Sequence, residues 1–203
     1  MESINDNHVQ TVYNHIASHF DETRYKKWNS INKFLDNLPK NQFIVEIGCG
    51  NGKNILDNRH YYTGFDFSEE FAKICKSKHL EVGVCNNLNI PLKNDSFDCV
   101  ISIAVIHHLS SIEKRKKCID ELIRICRPGG KIFIQVWGFE RETGKKYDKQ
   151  DNYIDWTYKK TGEVFKRYYH FFKKGELESL LPVSVKILES KFELNNYIII
   201  LEK

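Results

Sequence analysis

The segment Glu46-Ile47-Gly48-Cys49-Gly50-Asn51-Gly52 constrains this chain more than any other. It follows directly on a short apolar run, residues 43–47, that reads as a strand. Glycines at a strand end let the backbone turn sharply and come close to a ligand. The rest of the chain continues as alternating strands and helices. Residues 61–66 read as a second strand, 69–78 as a helix and 80–85 as a third strand. Residues 97–103 are nearly all apolar, as a central parallel strand should be. Ser110 and Glu113 have the spacing of a capping box, and Ile112, Cys118, Ile119, Leu122, Ile123 and Cys126 mark the buried side of the helix that follows. Arg127-Pro128-Gly129-Gly130 ends that helix, and residues 131–137 form a fifth strand.

The two chain ends add to this core. Val9, Val12, Tyr13, Ile16 and Phe20 share one helical face, and a second helix carries Trp28, Ile31, Phe34, Leu35 and Leu38 before Pro39. After a stretch without clear periodicity come a short helix over 175–181 and two β-rich runs, 183–190 and 197–202, with Asn195-Asn196 as a turn. Runs so close in sequence leave no room for a crossover and must pair antiparallel. The expected fold is therefore α/β and Rossmann-like: a mostly parallel seven-stranded sheet, an antiparallel C-terminal strand pair, and helices on both faces. One domain covers 1–203, with a helical cap over 1–40 and a basic insertion over 138–174 on the substrate side.

Asp66 ends the second strand 20 residues after Glu46, where a carboxylate can accept hydrogen bonds from two ribose hydroxyls. A nicotinamide fingerprint would place its third glycine at position 53, which is Lys53; the glycines fall at 48, 50 and 52. Together with the terminal antiparallel pair this favours S-adenosylmethionine and a class I methyltransferase over a dehydrogenase. Further cofactor candidates stand at the carboxyl ends of the parallel strands: Asn86, Asn87 and Leu88 for the adenine, and Ile103 at the end of the fourth strand. Asn86 takes the place of the usual Asp; its amide oxygen still accepts a bond, without the charge. Tyr25 is a weaker candidate for the same cleft.

Charge is distributed unevenly. The net charge is +4, yet the stretch 141–174 alone carries +5, which reads either as a solvated loop or as a surface for a polyanion such as nucleic acid. Six cysteines, at 49, 75, 85, 99, 118 and 126, form no CxxC pair and fall in apolar segments, so they read as core residues of a reduced protein with no metal site of its own. No run of eighteen apolar residues is present, and the N-terminus lacks the basic and apolar regions of a secretory signal. The expected location is the cytoplasm, with the nucleus as the alternative.

Three further segments carry a more specific resemblance. They are Val12-Tyr13-Asn14-His15-Ile16-Ala17-Ser18-His19-Phe20 with Thr23-Arg24-Tyr25 and Trp28; Ser102-Ile103-Ala104-Val105-Ile106-His107-His108-Leu109; and Arg167-Tyr168-Tyr169-His170-Phe171 leading into Gly175-Glu176-Leu177. With the glycine loop, they make the chain resemble the eukaryotic tRNA methyltransferases that esterify 5-carboxymethyluridine at the anticodon wobble position. That resemblance implies the anticodon loop of tRNA as substrate. It also implies a heterodimer with a small zinc-binding activator protein, which would hold the zinc. A carboxylate substrate is already ionised at neutral pH and needs a fixed cation and orientation rather than a base. Arg24 and Arg167 are the candidate cations, and His107, ahead of His108, the candidate substrate contact. Two alternatives stay open. In a small-molecule methyltransferase the basic stretch would act as a lid, and salt-sensitive tRNA binding would be absent. A catalytically silent nucleic-acid-binding or scaffold relative would fail to bind the cofactor.

Overall fold

The computed structural model describes residues 6–55, 59–158 and 161–203. Outside them lie the first five residues, on which the reading of the N-terminus partly rests, and Lys159 and Lys160 of the basic stretch. The elements in chain order are α1 (Asp6–Thr23), α2 (Asn29–Asp36), β1 (Phe43–Ile47), β2 (Tyr61–Asp66), α3 (Glu69–Ser77), β3 (Val82–Val84), β4 (Phe97–Ile103), a 3-10 turn (Ile106–His108), α4 (Ile112–Ile125), β5 (Cys126–Trp137), β6 (Asp151–Thr157), β7 (Val164–His170), α5 (Glu176–Ser179), β8 (Lys186–Glu193) and β9 (Asn196–Glu202).

Seven strands form one sheet in the order β3-β2-β1-β4-β5-β9-β8. The pairs among β1 to β5 are parallel, and β9 runs antiparallel to both β5 and β8. The chain reverses direction across the sheet between β1 and β4, and ligands of such sheets bind at that crevice. Period-two alternation on the strands explains how both faces are covered. Cys99, Ile101 and Ile103 of β4 pack with Ile31, Phe34 and Leu35 of α2, whereas Val100 joins Cys118, Ile119 and Leu122 of α4 on the other face. All six cysteines are buried and unpaired. No described helix is long and apolar enough to cross a membrane.

Several boundaries differ from the sequence reading. The helix α4 is capped by Ser111, whose hydroxyl accepts from the Lys114 N–H at 3.3 Å, rather than by Ser110. The third strand shortens to three residues, and the turn before β9 falls on Leu194 and Asn195, both at positive φ. Pairing of β4 with β5 steps from Phe97–Cys126 to Cys99–Lys131, so residues 127–130 loop out of the ladder.

The largest difference lies in the basic stretch. There β6 and β7 pair as an antiparallel hairpin outside the main sheet, with Trp156 opposite Phe165 and Ile154 opposite Arg167. The N-terminal cap also divides. α2 packs against the sheet, while α1 reaches over the hairpin: Val12 and Ile16 bury against Trp156. The Trp156 Nε1–H donates to His19 Nδ1 at 3.0 Å, and Phe20 stacks on the same indole at 5.7 Å.

Candidate active site

A cleft of about 250 Å³ opens at the carboxyl ends of β1, β2 and β4, roofed by α1. Its floor is the glycine loop. Gly48 has φ +81°, and a Cβ there would lie 2.1 Å from Val105 Cγ2, so no side chain fits. Gly50 donates its N–H to Asp66 Oδ2 at 2.8 Å, and the Ser68 N–H donates to Asp66 Oδ1 at 2.8 Å. Asp66 is thereby fixed in the cleft wall. Burial pushes its carboxyl above the ordinary range, against the N–H groups of Ser68, Gly50 and Phe67. Ser68 also caps α3, accepting from Phe71 N–H at 3.3 Å, and donates its hydroxyl to Asn14 of α1 at 2.6 Å.

Glu46 lies almost completely buried at the end of β1. One carboxyl oxygen accepts from Asn54 Nδ2 at 2.7 Å; the other, Oε2, has no partner among the described residues. Burial pushes this carboxyl up to about 8, and the Asn54 bond and Lys53 only partly oppose it. The linkage sign follows. Between about 4.5 and 8 the folded chain keeps a proton that the unfolded chain has released, so stability falls as pH rises through that window. We expect Glu46→Gln without cofactor to be more stable than the parent at about pH 8.5 by a few kcal/mol, and equal to it at about pH 4.5. Urea unfolding at the two pH values checks this; a gain of the same size at both would refute it.

At the far end of the cleft stand Arg24 and Arg167. Arg24 follows α1 and is exposed; Arg167, on β7, is 9% exposed. Their guanidinium carbons lie 5.2 Å and 4.8 Å from the ring of Trp156, so one indole holds both. Arg167 donates to the Tyr169 hydroxyl at 2.7 Å, and its buried Nε has no partner. Neither arginine forms an ion pair among the described residues. Two charged guanidiniums without a counter-ion in a cleft suit an anionic ligand, and a carboxylate can take a charge-assisted bond from each.

The histidine pair resolves against the expectation. His107 is fully buried outside the cleft, and its Nδ1 accepts from the Trp137 N–H at 3.1 Å. His108 lines the cleft instead. Its Nδ1–H donates to the Tyr168 carbonyl at 2.7 Å, which leaves Nε2 to accept from the Tyr13 hydroxyl at 2.8 Å. Burial holds His107 well below the ordinary imidazole range and pushes His108 down to about 3. Both are neutral, bonded supports for the wall. The 3-10 turn decides which ring faces inward, and adjacent identical residues give no sequence signal for that.

Other sequence candidates divide similarly. Gly48, Gly50, Asn86, Asn87, Leu88 and Ile103 line the cleft with Glu46 and Asp66. The Asn86 amide oxygen accepts from Leu88 N–H at 2.9 Å and shapes that turn, with a second lone pair left over. Gly52 does not line the cleft; at φ +76° a Cβ there would meet Leu80 Cδ1 at 2.4 Å, so this glycine packs the loop on its support. Tyr25 is 68% exposed and also stays out, because the chain after α1 turns its ring to solvent. The sequence reading missed Tyr13, Trp137, Tyr169 and Trp156. Trp156 escaped with its hairpin: only in the folded β6 do Asn152, Ile154 and Trp156 alternate with more exposed neighbours. Among the described residues no group of three or more His, Cys, Asp or Glu side chains could hold a metal.

Residues 45–134 match a family model described as a methyltransferase domain. The tRNA (carboxymethyluridine(34)-5-O)-methyltransferase of Schizosaccharomyces pombe is 34% identical, over 97% of this chain and 96% of its own length. The protein of the same name from Arabidopsis thaliana is 44% identical over 68% of this chain but 35% of its own length. The chain thus spans about a third of that longer relative. A chain from the complex of the Haloferax volcanii Trm112 methyltransferase activator with a methyltransferase superposes at TM-score 0.68, with 13% identity and 96% of each chain covered.

Proposed function

This chain belongs to the tRNA (carboxymethyluridine(34)-5-O)-methyltransferase family, and on that premise we propose that it methylates the carboxylate of 5-carboxymethyluridine at the wobble position of tRNA. The observation that carries the reading is the pair of unpaired arginines, Arg24 and Arg167, gathered on Trp156 in the cofactor cleft. A substrate whose acceptor is an anion needs that arrangement.

The residues present fit S-adenosylmethionine. Asp66 has lone pairs left for two ribose hydroxyls, and the unpartnered Glu46 Oε2 suits the ammonium of the methionine portion. Asn86 to Leu88 offer a polar edge and an apolar face to the adenine. When bound, the cofactor supplies an electrophilic methyl group on a sulfonium. The protein's part is then to orient the acceptor. Arg24 and Arg167 hold the carboxylate in one position, an effect of proximity and fixed charge. With a free pKa of about 4 the acceptor carries no proton to remove. The two histidines, held neutral by burial, agree with a reaction that uses no general base. The helix α1 excludes water from above, fastened by Gln10 Nε2 to the Phe67 carbonyl at 2.9 Å and by Tyr13 to His108.

A small zinc-binding activator as partner is part of the same reading. The three-residue β3 leaves an open sheet edge with Val84 exposed, and a chain of the Haloferax volcanii complex is similar in fold. Such a protein would work where its tRNA substrates are, in cytoplasm or nucleus.

Methyl transfer from labelled S-adenosylmethionine to tRNA lacking only the terminal ester tests the reading, with and without the activator. We expect label on the wobble uridine that mild alkali releases. Cofactor binding without incorporation into tRNA in either condition would overturn it.

A further inference from the structure

The row of cations and rings that begins at Arg24 does not end at Arg167. The Arg167 guanidinium carbon lies 5.2 Å from the Tyr169 ring, Tyr169 stacks on Trp137 at 4.6 Å, and the Arg141 guanidinium carbon lies 5.6 Å from Trp137. Arg141 is also 5.9 Å from Tyr147 and 6.0 Å from Phe171, so three rings fix its position. Its Nε is buried without a hydrogen-bond partner, and it has no ion pair among the described residues. The nearest acidic neighbours in sequence do not serve it. Glu140 accepts from the Tyr197 hydroxyl at 2.7 Å and the Lys174 N–H at 3.4 Å, and the Glu142 side chain is exposed. An arginine placed by aromatic faces and left without a counter-ion is prepared for an anion that arrives from outside.

We propose that Arg141 is a phosphodiester-binding residue, which takes the backbone phosphate at the target nucleotide of the RNA. This rests on the proposed reaction at Arg24 and Arg167. The order along the row then matches the order of groups in the substrate. The carboxymethyl group lies at Arg24 and Arg167, the base passes along the wall of Tyr169 and Trp137, and the sugar-phosphate reaches Arg141. Bases stack on such aromatic walls, and phosphate contacts set register on the polynucleotide. A free nucleoside has nothing to offer Arg141. An RNA substrate does.

The test compares an anticodon stem-loop carrying 5-carboxymethyluridine with the free nucleoside, using the full chain with its activator. For Arg141→Ala we expect stem-loop Kd to rise about tenfold, and the slope of log affinity against log salt to lose about one counter-ion. KM for the nucleoside and Kd for the cofactor should not change. Arg141→Lys should restore the salt slope, which separates charge from a folding defect. A stem-loop Kd and slope equal to the parent would overturn the proposal, as would an equal loss on the nucleoside. If the parent enzyme methylates the stem-loop in those cases, the reaction stands and only the phosphate site falls. A parent that neither binds nor methylates it overturns both.

Discussion

Asp66→Ala is expected to abolish methyl transfer by removing cofactor binding, with Kd raised by at least about 100-fold. The carboxylate would lose two charge-assisted bonds to the ribose, each worth roughly 1.5–3 kcal/mol. It also holds the glycine loop against α3 through the N–H groups of Gly50 and Ser68, both at 2.8 Å. The loss therefore combines a missing ligand contact with a loosened loop. Asp66→Asn separates them, because an amide oxygen still accepts one of those N–H bonds. We expect Asn to keep the melting temperature near that of the parent while still weakening the cofactor about tenfold. Calorimetric titration with S-adenosylhomocysteine reads both variants. Unchanged affinity in Asp66→Ala would move the ribose site elsewhere.

The second large effect belongs to the arginine pair. Arg24→Ala and Arg167→Ala should each lower kcat/KM by about 100-fold to 1,000-fold, with cofactor Kd within about threefold of the parent. Arg24 is the cleaner test, since it is exposed and only its own contact is lost. Arg167 is buried, and its removal also leaves the Tyr169 hydroxyl without its partner at 2.7 Å, so some loss of stability is expected as well. Lysine at either position should rescue poorly, because an ammonium cannot present the planar fork that stacks on Trp156 and grips a carboxylate. Steady-state kinetics against tRNA decides it. Normal turnover in both alanine variants would remove the carboxylate clamp.

The parts of this site that come from regular, local chemistry were legible in the sequence. A strand running into Gly48 and Gly50, with Asp66 at the next strand end, can be read from spacing alone, and the alternation of apolar segments gives the sheet. What escaped depends on contacts between distant segments. His107 and His108 are chemically identical, and only the 3-10 turn points one into the core and the other at Tyr13. Tyr25 and Gly52 look like their neighbours in sequence but do not line the cleft. The hairpin of β6 and β7 was hidden because its strands carry charged residues at outward positions. Burial alternates along β6 but not along β7, and a hydropathy pattern that weak is also what a solvated loop shows. Trp156, which aligns both arginines, is visible only once that hairpin and α1 are in contact.

Arg24 and Arg167 are separated by nearly the whole of the Rossmann-like core, and they meet on a residue of neither terminal helix nor main sheet. Closing a loop of that length costs entropy before it yields contacts, so in folding the clamp forms after the sheet rather than with it. The same ordering runs backwards on heating. The α1–hairpin junction is a small apolar cluster with a few polar ties, whereas the sheet is buried on both faces, so the ends open at a lower free energy than the core. Acceptor binding is thus the most perishable property of the molecule. A preparation that retains its circular dichroism and still takes up cofactor can already have lost the ability to hold its substrate.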